Sequence, residues 1–374
     1  MNIPYFQPDI TDIEPSLLQQ ALKNKGDVLT DTLENDIKKY IGCDHAVTAT
    51  NATSALHLSM CALDIKRGDK VICSVNSHPS IPAVIRHFDA EPIFIDIDQD
   101  TYNMDLEILE NLLNQKHSKK LRGIIINFVA GQAIDLDRLY KMTRKNRLFV
   151  VEDATDALGA SYQGKKVGTH SADITVFSFS PFRESNPSNA AVLTTNDDDL
   201  YERAMMMRNH AIEKRPTDNI NYIYDVVDIG CDYHISGIDA AYALTSFKKL
   251  DANVKRRKQI AARFMSELND VIHVELPSTN VDHAFSHFIV KIDKNRDSFA
   301  KELAKVGIET DLHYIPLHMM SYYRTKYTLK ITSFPVALRQ YQHMMALPVS
   351  ASLSDDEVSY IISSVKDIAT NKMW

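Results

Sequence analysis

A chain of 374 residues, 44% hydrophobic and 24% charged, holds enough apolar material for about two folded domains. Its net charge of -7 leaves no basic footprint for nucleic acid, and no run approaches the ~18 apolar residues that a membrane span needs. Four cysteines (Cys43, Cys61, Cys73, Cys231) lie far apart with no C-x-x-C pair; they are expected as free thiols in a reducing cytoplasm, not as zinc ligands.

Met1-Asn2-Ile3-Pro4-Tyr5 lacks the basic and apolar regions of a signal peptide. Over the first two thirds, short apolar runs alternate with helical patterns. A strand over 46–49 leads through Thr50-Asn51-Ala52 into a helix over 54–63, with Thr53 as its expected cap. Strands over 70–74 and 91–95 flank a helix over 80–88, and a strand over 123–128 precedes an amphipathic helix over 135–145. Further strands are expected over 148–152, 174–178 and 191–194. Several of these runs are continuously apolar, as strands covered on both faces of a parallel sheet must be. Strand and helix in alternation predict an α/β layered domain.

Met205-Met206-Met207 reads as core filler on a helix. A long helical region over 236–268 follows, basic in its middle (Lys248, Lys249, Lys255, Arg256, Arg257, Lys258), which reads as a solvated face, not a polyanion site. The remainder is α+β, with a strand over 287–292 and helices over 297–306 and 355–368. The expected division is a large α/β domain over 1–250 and a small α+β domain over 251–374.

In open α/β sheets ligands sit at the carboxyl ends of the strands, and three such ends carry chemistry here. Ala52 and Thr53 open a helix, whose first N–H groups suit a phosphate. The strand over 148–152 runs into Asp153, placed to hold a cationic ring nitrogen or to act as an ordinary hydrogen-bonded acid. Ser178, within Phe177-Ser178-Phe179, offers a hydroxyl to the same phosphate.

With these ends in this order, the chain resembles the sugar aminotransferases of the DegT/DnrJ/EryC1/StrS family from about Asp27 to Lys366. Besides those just given, the residues that carry the likeness are Ala130-Gly131-Gln132, Val150-Val151-Glu152-Asp153-Ala154, Arg208-Asn209-His210, His313-Tyr314-Ile315-Pro316-Leu317-His318 and Phe334-Pro335-Val336-Ala337. The resemblance implies a pyridoxal-phosphate-dependent transferase of fold type I, like aspartate aminotransferase. It further implies a dimer with shared sites and a nucleotide-linked sugar as ligand. It assigns Ala52, Thr53, His78, Asp153, Asp156, Ser178 and Asp232 to the cofactor, pyridoxal or pyridoxamine phosphate, and Gln132, His313 and His318 to the sugar.

The pattern breaks where the chemistry is most demanding. The family's Schiff-base lysine is Arg183, a guanidinium that never deprotonates and is therefore neither nucleophile nor base. The glycine loop that follows is replaced by Asn186-Pro187-Ser188-Asn189-Ala190-Ala191. This accounts for part of a glycine content of about 3% (11 residues), against the usual ~7%. Asp232 replaces the asparagine offered across the dimer to the phosphate, His78 replaces the stacking aromatic, and Asp156 replaces a Gln or His.

Three functions follow from the resemblance. The chain is an active aminotransferase; or it is a pyridoxamine-phosphate-dependent or cofactor-free enzyme on a nucleotide sugar; or it is a non-catalytic partner, in a homodimer or a heterodimer with an active paralogue. The third includes an Arg183–Asp153 pair filling the cofactor pocket. Arg183 itself is expected to prevent amino transfer by this chain alone.

Overall fold

Seven apolar runs assemble into one sheet: β1 (His45–Ala49), β2 (Lys70–Ser74), β3 (Glu91–Ile95), β4 (Leu121–Asn127), β5 (Phe149–Asp153), β6 (Ile174–Ser178) and β7 (Ala191–Thr195). The computed structural model describes residues 1–7, 13–23, 27–115, 119–179, 189–214, 222–278 and 282–371. Across the sheet the order is β1-β7-β6-β5-β4-β2-β3. Pairing is parallel from β6 through β5, β4 and β2 to β3, and only β7 runs against its neighbours.

The continuous apolar runs have the reason expected of them. Ile124 and Ile126 of β4 pack into one buried cluster, and Ile125 into a second cluster on the opposite face. The first cluster is closed by α1 (Ile13–Lys23), α2 (Asp27–Ile41), α5 (Leu106–Asn114), α6 (Leu136–Asn146) and α8 (Gly237–Lys248); the second by α3 (Ala52–Ala62), α4 (Ser80–His87) and α7 (Asp198–Arg208). The fold is a mostly parallel sheet between helical layers, the arrangement that the resemblance implies.

Two local readings are corrected. The cap of α3 is Asn51, not Thr53: Asn51 is extended (φ -168°) and its Oδ1 accepts from Ser54 N at 2.9 Å, which moves the helix start to Ala52. The region over 236–268 is two helices, α8 and α9 (Leu250–Glu267), that meet at Lys249. Of the cysteines, Cys43, Cys61 and Cys73 are buried and all four are unbridged.

Beyond α9, the strands Val274–Glu275, Phe288–Ile292 and Met344–Leu347 form a small antiparallel sheet. The helix Asp355–Asn371 buries Val358, Ile361 and Val365 in the same cluster as Phe288 and Val290. The start of the chain is stitched to this region. Ile3 pairs with Ile308, donating to Gly307 O at 2.7 Å and accepting from Glu309 N at 3.0 Å.

One buried ion pair ties three elements of the large sheet. Arg208, at the end of α7, reaches Glu34 Oε1 of α2 at 2.9 Å and Thr48 Oγ1 of β1 at 2.9 Å. Glu34 Oε1 in turn accepts from Thr48 N and Thr48 Oγ1, each at 2.8 Å. Removing one partner strands the other charge in a dry site, so Arg208→Met is expected to lower the unfolding free energy by about 3–5 kcal/mol. Urea denaturation followed by circular dichroism measures it; a loss below about 1 kcal/mol would mean the pair is solvated in solution.

Candidate functional site

Strand register builds the site before any side chain is considered. Ser178 of β6 lies opposite Ala191 of β7, and Ala191 lies opposite Ala49 of β1. The next element after Ala49 is the N-terminus of α3. The Ser178 hydroxyl and the first N–H groups of α3 therefore emerge from the same edge of the sheet, two strands apart. On the other side, Asp153 pairs in register with Val176 of β6 and Asn127 of β4, which places its carboxyl at that edge as well.

Strand alternation separates the two acids of Glu152-Asp153. Glu152 is wholly buried and accepts from Tyr140 Oη and from Thr175 Oγ1 (2.8 Å), a satisfied structural acid whose pKa burial raises. Asp153, on the opposite face, accepts from Thr155 N at 3.3 Å, and the Thr155 side chain also favours its charged form. Burial is the main reason its pKa climbs to about 7, with the neighbouring Asp156 adding to the rise. A carboxyl that poorly solvated fits a site that shares its proton with a ligand nitrogen.

Asp156 meets the reverse environment. Burial would raise it too, but His287 Nε2 lies 3.5 Å from its Oδ1, His313 is nearby and Tyr314 Oη donates at 3.5 Å, so the carboxyl is held below its ordinary range. His287 is itself seated by Tyr5, whose Oη lies 2.6 Å from Nδ1, and its ring lies 3.5 Å from that of His313. Burial keeps His313 neutral, its pKa well below the usual histidine value. Two acids whose surroundings push their pKa values apart are a mark of acid–base chemistry.

The turn that supports this cluster is Val129–Gly131. Gly131 has φ +86°, and a Cβ there would meet the Asp156 carbonyl oxygen at 2.6 Å. Asn103 clamps the same turn, accepting from Val129 N at 2.8 Å and donating to Gln132 O at 2.9 Å.

The structure brings Asp153, Asp156, Ser178, Ala52, Thr53 and His313 to one edge of the sheet. Gln132 is buried beside them, next to Gly131. His78 is exposed, its Nδ1 held by Ser80 Oγ at 2.8 Å and its ring 6.3 Å from that of Tyr314. His318 is wholly buried and donates from Nε2 to Ile331 O at 2.9 Å. Asp232 is largely exposed, 3.9 Å from His210 Nε2 and 3.6 Å from His234 Nδ1. Its segment borders the site of its own chain, since Thr50 N donates to Tyr233 O at 3.1 Å. Arg183, its proposed pairing with Asp153 and Asn186–Ser188 lie outside the described residues. Sequence reasoning missed Tyr5, His287 and Asn103. None stood in a recognised pattern, and His287 was read only as the start of a strand.

No set of three metal-ligating side chains occurs among the described residues, and no described helix is long and apolar enough to cross a membrane.

The DegT/DnrJ/EryC1/StrS aminotransferase family matches residues 8–366. The chain is 28% identical to the spore coat polysaccharide biosynthesis protein SpsC of Bacillus subtilis, covering 98% of this chain and 97% of that one. It is 29% identical to GDP-perosamine synthase of Escherichia coli O157:H7, covering 99% of each. Among solved structures, the putative sugar aminotransferase Spr1654 of Streptococcus pneumoniae in its PMP form superposes with a TM-score of 0.90 at 26% identity, covering 98% of this chain and 99% of that one.

The raised pKa of Asp153 has a thermodynamic consequence. Unfolded, the group ionises near its ordinary 3.8; folded, it keeps its proton to about pH 7. The folded state thus binds the extra proton between these values, and stability falls as pH rises through that window, by up to about 4 kcal/mol. Asp153→Asn should stabilise cofactor-free protein by only about 1 kcal/mol at pH 4.5 and by up to about 4 kcal/mol at pH 8. Urea melts at the two pH values measure this; equal effects at both would mean that Asp153 is solvated.

Proposed function

The chain belongs to the DegT/DnrJ/EryC1/StrS aminotransferase family, and we propose that it is a nucleotide-sugar-binding member that holds pyridoxal or pyridoxamine phosphate without a covalent bond. On this reading it does not transfer an amino group by itself. The observation that carries the reading is Asp153, a buried carboxyl at the sheet edge whose raised pKa the neutral Thr155 beside it does not offset. Such a group is costly unless a protonated ring nitrogen takes up its charge.

The residues present fit the cofactor. Asp153 would share its proton with the ring nitrogen. The N–H groups of Ala52 and Thr53 and the Ser178 hydroxyl would take the phosphate, and the exposed His78 ring would cover one ring face. When bound, the cofactor supplies an electron sink for a carbanion. The chain's own part is to orient the ligand and hold protons, with His287 keeping Asp156 ionised beside a neutral His313. Arg183 removes the covalent anchor and the proton shuttle together. The names of the relatives, a perosamine synthase and a spore coat polysaccharide protein, support a nucleotide-linked sugar destined for a surface glycan, and hence a cytoplasmic place of work.

A second chain belongs to this reading. Ile212–Lys214 and Tyr224–Val226 form a hairpin beside Asp232, and Tyr222, Tyr224, Val226 and Ile229 are exposed on and around it. So much apolar surface on one ribbon is costly in water, and it suits a homodimer or a heterodimer with an active paralogue.

The experiment is to incubate purified protein with each cofactor form, remove the excess and measure bound cofactor. About one per chain is expected, with retention at least tenfold weaker in Asp153→Asn. Glutamate should not convert bound pyridoxal phosphate to the amine form. No retention of either form, or glutamate-driven conversion by the unaltered chain, would overturn the reading.

A further inference from the structure

Two of the four cysteines converge on one histidine. Cys61 lies in the last turn of α3, and Cys231 in the segment between the hairpin and α8. Their Sγ atoms stand 3.7 and 3.9 Å from the same atom, His57 Nδ1. Tyr233 Oη reaches that nitrogen as well, at 3.3 Å. The imidazole is held by Phe88, whose ring stacks on it at 4.9 Å, and by the edge-on ring of Tyr233.

Packed elements fix both cysteine backbones. Cys61 O accepts from Arg203 Nε of α7 at 2.9 Å. Cys231 N donates to Met207 O at 2.8 Å, and Cys231 O accepts from His210 N at 2.9 Å. Cys61 and Met207 belong to one apolar cluster, which joins α3 to α7.

The cluster holds more hydrogens than places for them. Nδ1 of a neutral imidazole carries either one lone pair or one hydrogen, so it satisfies one of the three groups around it. Burial and the neighbouring His87 lower the His57 pKa to about 4, which keeps the ring uncharged at neutral pH. The thiols also face each other: burial, and then the Cys231 thiol, push the Cys61 pKa up to about 12. Joining the two sulfurs removes both S–H groups and leaves His57 to Tyr233. Cys43 differs, since it gives its hydrogen to His45 O at 3.4 Å, and Cys73 is wholly buried.

We propose that Cys61 and Cys231 form a reversible disulfide within the chain, with hydrogen peroxide as the oxidant. The half-buried Cys231 meets peroxide before the buried Cys61 does. Its sulfur attacks one peroxide oxygen, the O–O bond breaks, and the leaving hydroxide takes the thiol proton as water. Cys61 then attacks the sulfur of the resulting sulfenic acid. The S–O bond breaks, the S–S bond forms, and hydroxide leaves as a second water with the Cys61 proton relayed by His57 Nδ1. Two thiols are oxidised by two electrons and one peroxide is reduced by them. The bridge ties α3 to the segment of Asp232 and Tyr233, whose carbonyl accepts from Thr50 N beside the sheet edge. The inference does not depend on the cofactor reading.

The test treats the reduced full chain with a slight molar excess of peroxide. Thiols are counted in denaturant, and the unreduced tryptic peptides are mapped by mass spectrometry. The count is expected to fall from four to two, with one peptide pair joined through Cys61 and Cys231, and dithiothreitol restores all four. The product should run as a single chain on a non-reducing gel. Cys231→Ser should keep its remaining thiols, Cys61→Ser should lose one as a sulfenic acid that dimedone traps, and His57→Gln should slow bridging severalfold. The peptide map of the unaltered chain decides the matter if a variant does not fold. Peroxide that leaves four thiols, joins other cysteines or links separate chains would overturn the pair.

Discussion

Covering both faces of a parallel sheet leaves only its edges for chemistry. The buried apolar residues of β4, β5 and β6 are committed to two clusters, and Glu152 and Thr175 between them satisfy each other, so a polar site open to a ligand is confined to where the strands end. Register then decides which residues meet. Because β7 runs against its neighbours, Ser178 and the end of β1 fall into one row, and the α3 N-terminus arrives at the same edge. The site exists because the sheet cannot hold it anywhere else.

Two carboxyls at that edge have been given opposite fates. Asp153 is buried with almost nothing to stabilise its charge, whereas Asp156 is buried among groups that favour it. The difference lies in partners, not depth: Tyr5 and His313 seat His287 against Asp156, whereas among the described residues Asp153 has only neutral Thr155 beside it. Native interiors seldom tolerate a buried acid so poorly matched, and Asp153 fits a ligand that carries the missing positive charge.

The sheet was legible because its strands are uninterrupted apolar runs, and β2, β3 and β6 begin and end where the sequence places them. Asp153 and Ser178 were legible for a related reason: each lies at or next to the end of such a run. What stayed hidden depends on tertiary proximity. Nothing near position 287 announces that a strand's first histidine will meet Asp156 across the domain. Lys249 and Arg257 were read with their charged neighbours as solvent-facing, because a run of six cations in one helical region gives no clue to which of them turn inward. The joint at Lys249 breaks that region in two and sends residues 249, 253 and 257 toward the sheet edge.

The first five residues add a dynamic link. Segments held by few contacts ordinarily open locally at little cost to the rest of a protein. Here Ile3 is paired to residues 307 and 309, and two residues later Tyr5 holds His287, which holds Asp156. Each opening of this end releases the histidine that keeps Asp156 charged, so the charge state of the pocket is coupled to a local unfolding equilibrium at the edge of the molecule. Any change that loosens residues 3–5 is therefore a perturbation of the site itself.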